Sequence, residues 1–122
     1  MKPVNHATII GVMDNDPALG YTGEGKAVMN FTVLQENEWN GKVFRTWHKC
    51  VVWGGRAEDA AASDLSKGDS VCVIGEIKYR SYEKDGVKKP VVEIHGQVFR
   101  GFGEGETVED KPQTTTKDDI PF

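Results

Sequence analysis

The chain has 122 residues, of which 38% are hydrophobic, and its formal net charge is −4. This size and apolar content suit one small domain with a short appendage, and they exclude two domains with separate cores. The sequence has no apolar run near the ~20 residues that would cross a membrane, and the segment that begins at Met1 lacks the apolar stretch of a secretory signal. Two cysteines, Cys50 and Cys72, are too few for a disulfide framework, so we expect reduced thiols and a cytoplasmic location.

The first half of the chain alternates apolar and polar residues with a period near two, which predicts strands. We predict a first strand over Ala7–Met13, followed by a loop rich in glycine and a second strand over 27–35. The Asn40-Gly41 pair is typical of a hairpin turn, and a third strand follows over 43–53. The predicted core face of the second strand consists of Met29, Phe31 and Val33.

The second half begins with a helix. The segment 56–65 is rich in alanine and has apolar residues at helical spacing. A fourth strand is predicted over 70–82, an Asp85-Gly86 turn follows, and a fifth strand covers 91–99. Three strands, one helix and a two-stranded hairpin is the order of an OB-fold. We therefore predict an all-β fold, a five-stranded OB barrel with one helix between strands three and four.

The acidity of the chain lies in its last residues. Residues 1–103 carry 13 basic and 13 acidic side chains, whereas 104–122 carry two lysines and six acids. We predict an OB domain over 1–103 and a disordered acidic linker over 104–117, because the linker has too little apolar surface to offset the entropy of ordering. The tip, 118–122, combines a stiff proline with two apolar side chains and suits capture by a hydrophobic, basic-rimmed pocket on another protein. The tip residues are Asp118, Asp119, Ile120, Pro121 and Phe122.

Catalytic and metal-binding patterns are weak. No serine or cysteine lies in a recognisable nucleophile motif, and no GxxxxGK phosphate loop occurs. His48 and Cys50 lie two apart on a predicted strand and form a metal half-site, which would need two more ligands such as Cys72 and His95. The alternative, which we favour, is that both cysteines are buried small hydrophobic side chains. We expect no catalytic residue, no metal and no cofactor, and a protein that is not an enzyme.

Aromatic and basic residues follow two predicted strands. Trp47, Lys49 and Trp53 share one face of the third strand, and Arg80 and Tyr82 share one face of the fourth. Bases stack on aromatic rings while nearby cations bind phosphates, so this pattern is typical of proteins that bind single-stranded nucleic acid. The competing interpretation places the two tryptophans in the barrel core and leaves Tyr82 as an exposed ring. A further indole, that of Trp39, stands at a polar hairpin tip, where a core role is geometrically awkward.

In these residues the chain resembles the bacterial-type single-stranded-DNA-binding proteins (SSB) over nearly its whole length. The most specific matches are the stretch WHKCVVWG at 47–54 and the tip at 118–122. Further matching segments are 5–11, 15–17, 27–32, 65–68 and 73–77.

The resemblance implies single-stranded DNA as a partner and a set of contact residues. It implies base stacking by Trp39, Trp47, Trp53 and Tyr82, and backbone contacts by Lys49, Lys67 and Arg80. Gly55 occupies a position that is often basic in the family, and Arg56 beside it is expected to compensate. The resemblance also implies a homotetramer with His48 at a subunit interface, and docking of the tip onto replication, recombination and repair enzymes.

Departures from the family leave several points open. Tyr82 replaces a common tryptophan, which predicts weaker stacking there. The short linker suits a phage or mobile-element protein, and a bacterial chromosomal copy, acting in the cytoplasm or nucleoid, stays open. Two other functions are alternatives: an OB module that binds proteins and has weak DNA affinity, and a nuclease, which would need clustered acids for a metal.

Overall fold

The computed structural model describes residues 1–101. They form six strands and one helix. In chain order these are β1 (Ala7–Met13), β2 (Ala18–Tyr21), β3 (Ala27–Trp39), β4 (Lys42–Trp53), α1 (Gly55–Ala62), β5 (Ser70–Lys84) and β6 (Val87–Arg100). Over this range no helix has the length and apolar character needed to cross a membrane.

Five of the strands close into a barrel. The sheet order is β1-β5-β6-β4-β3-β2, and a short antiparallel pairing of β1 with β3 completes the ring. The β4–β6 pairing is parallel, from Lys49 opposite Glu93 to Val51 opposite His95, and the other pairings are antiparallel. With α1 between β4 and β5, this topology confirms the predicted OB-fold, whose five strands are β1, β3, β4, β5 and β6.

Alternate residues of the strands fill the barrel. On β3 the side chains of Met29, Phe31 and Val33 are buried, as predicted, and on β5 Val71 and Val73 join them. Ala57 and Ala60 of α1 pack against the same cluster, so the helix covers part of the barrel core. Because strand side chains alternate between two faces, the residues between these point outward.

Both predicted hairpin turns are confirmed. Asn40 and Gly41 have φ values of 52° and 76°, and Asp85 and Gly86 have 55° and 77°. Two consecutive positive φ values are what a type I′ turn requires, and this turn matches the twist of the flanking strands. The hairpins therefore extend as two-stranded arms, β3–β4 and β5–β6.

The structure differs from the prediction in several boundaries. β2 lies where a loop was predicted. Its four residues form a strand by pairing with Ala27–Asn30, but all four side chains are exposed, so the sequence has no apolar alternation there that would indicate a strand. β3 continues to Trp39 instead of ending at residue 35. Its last residues belong to a two-stranded arm, which is held together by pairing with β4 alone and does not require a buried face. The helix ends at Ala62 and not at Leu65. Leu65 lies in the loop that follows the helix, and its side chain is buried in the core.

The acidic linker (104–117) and the tip (118–122) lie outside the described residues, as do 102 and 103 of the predicted barrel domain. Their predicted roles therefore stay predictions.

Candidate nucleic-acid interface

The outer face of β4 carries the aromatic and basic residues. Cys50 and Val52 point into the core, so Trp47, Lys49 and Trp53 point out between them. The indoles are 55% and 37% exposed respectively, so the interpretation that places them in the core is wrong. Exposed tryptophans two and four residues from a lysine on one strand face give stacking surfaces with a cation between them.

The β5–β6 arm adds to this face. Lys49 is opposite Glu93 on β6, and Glu93 is opposite Lys78 on β5, so these side chains share one side of the sheet. Arg80 and Tyr82 follow Lys78 at two-residue intervals and lie on the same side. We call the set Trp47, Lys49, Trp53, Arg80 and Tyr82 the aromatic face. The strand parity predicted for these residues is confirmed, and their binding role stays a prediction.

Trp39 does not belong to the aromatic face by register. It is directly opposite Lys42, so it shares the side of the β3–β4 arm that carries the even-numbered residues of β4, and Trp47 is on the other side. Its side chain is 70% exposed at the arm's tip. Sequence could not assign this side, because the side depends on which β4 residue pairs with Trp39. A DNA contact at Trp39 stays a prediction and requires the strand to reach around the arm.

Glu93 is a buried carboxylate within the aromatic face, with 5% of its side chain exposed. The Arg80 guanidinium donates to both oxygens, from Nε to Oε1 at 3.1 Å and from Nη2 to Oε2 at 2.8 Å. These bonds hold the pKa of Glu93 below its usual range against the opposing effect of burial, and Glu93 raises the pKa of Arg80. The ion pair fixes the guanidinium in place and leaves further N–H donors for a phosphate.

Further side chains of β6 support the face. The Trp53 indole donates to His95 Nδ1 at 3.0 Å, and His95 Nε2 lies 2.8 Å from Glu93 Oε1. The Lys26 ammonium lies 5.3 Å from the centroid of the Trp53 ring, within cation–π range. The positions of His95 and Glu93 beside Trp53 and Arg80 are not predictable from sequence alone. Their parity along β6 becomes informative only once the pairing of β6 with β4 and β5 is known.

Arg56 and Lys67 lie at the margins of the face. With the Gln97 amide oxygen turned toward Arg56, it accepts from Nε at 2.6 Å and from Nη2 at 2.9 Å. Lys67 is in the loop before β5, and its backbone N–H donates to Asp16 Oδ1 at 2.8 Å. Asp16 in turn lines a concavity of about 250 Å³ that Lys49, Arg80 and Glu93 also line. The loop of Lys67 is thus tied to the rim of the aromatic face.

The metal half-site is not assembled. Within residues 1–101, no three histidine, cysteine or acidic side chains group in a way that could hold an ion. His48 Nε2 is 2.8 Å from Gln35 Oε1, and the burial of Cys50 raises the pKa of its thiol to about 12. Cys50 is a buried hydrophobic side chain as we expected. The same prediction for Cys72 is wrong, because it is on the outer side of β5 and is partly exposed.

The edge of β1 lies close to His48. β3 joins β1 only at Val12 and Met13, so the rest of this edge has no strand partner within the described chain. Gln35 links the two: its amide donates to the Ile10 carbonyl at 3.0 Å and its oxygen faces His48. Burial lowers the pKa of His48 and favours the neutral ring. A groove of about 820 Å³ runs between β1 and the β3 arm.

Comparisons with known proteins agree with this geometry. The model of the Single-strand binding protein family matches residues 4–101. A single-stranded DNA-binding protein of Paenarthrobacter aurescens is 41% identical over 97 aligned positions, which cover 71% of this chain and 55% of that protein. Those of Mycobacterium leprae and Deinococcus radiodurans are 39% and 35% identical, covering 71% and 76% of this chain and 56% and 33% of their own lengths. The chain thus spans about half the length of the first two relatives and a third of the length of the Deinococcus radiodurans protein.

A solved structure described as "Plasmodium falciparum SSB complex with ssDNA" superposes with a TM-score of 0.74. It is 24% identical in sequence, and the match covers 82% of this chain and 96% of that chain. At this identity the likeness shows the fold alone. The family is one of binding proteins, in agreement with the expectation that the chain is not an enzyme. On the match over residues 4–101 and on these identities, the chain belongs to the Single-strand binding protein family.

Proposed function

We propose that the chain binds single-stranded DNA without regard to sequence, and protects it during replication, recombination and repair. The observation that carries this proposal is the aromatic face, in which two exposed indoles flank Lys49 on one strand. The relatives are named for the same binding. Single-strand-binding barrels of this kind cover roughly 4–16 nucleotides each.

The dimensions of the face support a path along β4. Trp47 and Trp53 are six residues apart, and a strand rises about 3.3 Å per residue, so the indoles are about 20 Å apart. A single strand lying along β4 would place several nucleotides over this distance, with Lys49 beneath its backbone and Arg80 beside it. Glu93 would repel phosphates, but Arg80 neutralises it with two hydrogen bonds. The face is therefore suited to an anionic strand in spite of a carboxylate at its centre.

Tryptophan fluorescence tests the function directly. Poly(dT) is expected to quench the intrinsic fluorescence, because bases stack on Trp47 and Trp53, and a duplex of equal length should bind far more weakly. Affinity should fall with salt, with a slope of about −0.7 in log K against log[salt] for each phosphate that is neutralised. Absence of quenching by poly(dT), or equal affinity for the duplex, would contradict the proposal.

We further propose that the protein is a homotetramer with His48 near an interface between subunits. The unpaired edge of β1 offers backbone groups to a second chain, and Ile10 and Val12 beside it are 51% and 40% exposed. Phe99, which is opposite Cys72 on the outer side of β5, adds to the exposed apolar surface. Covering such a surface with another copy would remove apolar area from water and satisfy the strand edge.

We also propose that residues 118–122 recruit replication, recombination and repair enzymes. The full chain, held on a support, is expected to retain such enzymes from a bacterial extract, and a chain without residues 120–122 should not. The apolar side chains of Ile120 and Phe122 are lost in that variant, whereas the aromatic face is intact, so its affinity for poly(dT) should be unchanged or slightly higher. Retention of the same enzymes by the shortened chain would refute this role.

A further inference from the structure

The side chain of His95 lies between two residues of the aromatic face. It contacts the Trp53 indole through Nδ1 and the Glu93 carboxylate through Nε2, and Glu93 is bound in turn by Arg80. We propose that His95 is a positioning residue for DNA binding: its neutral imidazole holds the Trp53 indole in the orientation in which a base stacks on it. This inference rests on the proposed function, since it assumes that Trp53 contacts DNA.

Hydrogen-bond chemistry fixes the state of the imidazole. The indole N–H can only donate, so Nδ1 must carry a lone pair and accept. The remaining ring proton is then on Nε2, where it is donated to Glu93 Oε1. The Glu93 carboxylate is only 5% exposed and accepts from Nε and Nη2 of Arg80, so it is a fixed acceptor for that proton. The four side chains therefore form one chain of hydrogen bonds, Trp53–His95–Glu93–Arg80, with a proposed DNA contact at each end.

The geometry leaves the indole free to stack. The ring centroids of Trp53 and His95 are 6.2 Å apart with their planes at 33°, so His95 bonds the indole edge and does not cover its π face. An exposed indole without this bond would sample several rotamers, and binding DNA would have to immobilise it. Ordering one such side chain in advance corresponds to an affinity gain of about two- to tenfold. His95 is thus expected to strengthen binding without touching DNA.

The hydrogen bond gives the Trp53 indole a spectroscopic signature. Its N–H is donated to His95 Nδ1 at 3.0 Å, whereas the side chain of Trp39 is 70% exposed at the tip of its arm. A hydrogen-bonded N–H exchanges with water more slowly than one that faces solvent. In the absence of DNA, the indole N–H of Trp53 should therefore exchange more slowly than that of Trp39.

Three substitutions test the proposal. His95→Leu removes both hydrogen bonds and is expected to weaken binding of a dT oligonucleotide about two- to tenfold. His95→Gln keeps an acceptor and a donor, so relative to His95→Leu it should restore much of the affinity and slow the exchange of the Trp53 indole N–H with water. Trp53→Phe keeps a ring that can stack but has no N–H, so adding His95→Leu to it should change affinity by less than about twofold.

The outcomes separate this inference from the proposed function. If Trp53→Ala leaves affinity for the oligonucleotide unchanged, Trp53 is not a DNA contact and that part of the proposed site is wrong. If Trp53→Ala weakens binding but His95→Leu does not, or weakens it equally in the Trp53→Phe background, His95 does not act through Trp53. Should His95→Leu fail to fold in a thermal melt, the indole N–H exchange of the wild-type protein still decides the question. A Trp53 indole N–H that exchanges with water as fast as that of Trp39 would overturn the proposal.

Discussion

Replacing Trp47 and Trp53 together by alanine is expected to lower the affinity for single-stranded DNA by about 30-fold or more. Base–aromatic stacking in single-strand-binding barrels is typically worth about 1–3 kcal/mol per base, and two stacks are removed. Both indoles are exposed in the free protein, at 55% and 37%, so their loss creates no cavity in the core. We therefore expect the double variant to fold and to fail in binding.

Anisotropy of a labelled dT oligonucleotide at fixed salt measures this effect without relying on the tryptophans. The matched control is Tyr21→Ala. Tyr21 is 59% exposed, but it is opposite Ala27 on the core side of the β2–β3 pairing, and its hydroxyl donates to Glu58 on α1. This control should change affinity by less than about twofold. A double variant that binds within threefold of wild type would remove the basis for the aromatic face.

Salt dependence distinguishes stacking from charge. The slope of log K against log[salt] depends on the number of phosphates that lysine and arginine neutralise, and indoles carry no charge. Trp47→Ala and Trp53→Ala should therefore reduce affinity at every salt concentration and leave the slope unchanged. This parallel displacement is what identifies the indoles as stacking platforms, because a general disturbance of the face would also displace Lys49 and Arg80.

Sequence alone predicted the parts of the fold and site that depend on alternation within one strand. That Trp47, Lys49 and Trp53 share one face follows from their spacing, and so does the buried row on β3, whereas the outward direction of the tryptophans is shown by their exposure. The turns at Asn40-Gly41 and Asp85-Gly86 follow from their chemistry, because few residues adopt positive φ. These features need no knowledge of what the strand packs against.

The features that sequence could not predict depend on register between strands. Trp39 lies on the side opposite to Trp47 because it pairs with Lys42, and a shift of one residue would have reversed this. The Trp53–His95 bond joins residues 42 positions apart, and the buried state of Glu93 depends on Arg80. β2 was missed for a related reason, since its strand character comes from pairing with β3 and not from burial of its side chains.

The largest loss of stability is expected from Gly96→Ala. Gly96 is directly opposite Gly75, where β5 and β6 approach so closely that neither strand has room for a side chain. A Cβ on Gly96 would lie 2.0 Å from the Ile74 carbonyl oxygen and 2.5 Å from the Gly75 Cα. These are backbone atoms, which cannot move aside as a flexible side chain can, so the two strands would have to separate. Overpacking typically costs about 1–3 kcal/mol, and we expect about 3 kcal/mol or more here.

Urea or thermal unfolding at equal protein concentration measures the loss, because the proposed assembly of subunits would make apparent stability depend on concentration. For a domain of this size, about 3 kcal/mol corresponds to a fall in Tm of about 12–24 °C. Gly20→Ala is the matched control, since a Cβ there has no atom within 4 Å and the residue has no positive φ; its effect should stay within about 0.5 kcal/mol. Equal stability of the two variants would show that β5 and β6 are farther apart at Gly96 than these distances indicate.

Because Gly96 lies between His95 and Gln97, strand separation there would also displace the side chains that support Trp53 and Arg56. DNA affinity should therefore fall in the folded fraction of Gly96→Ala as well.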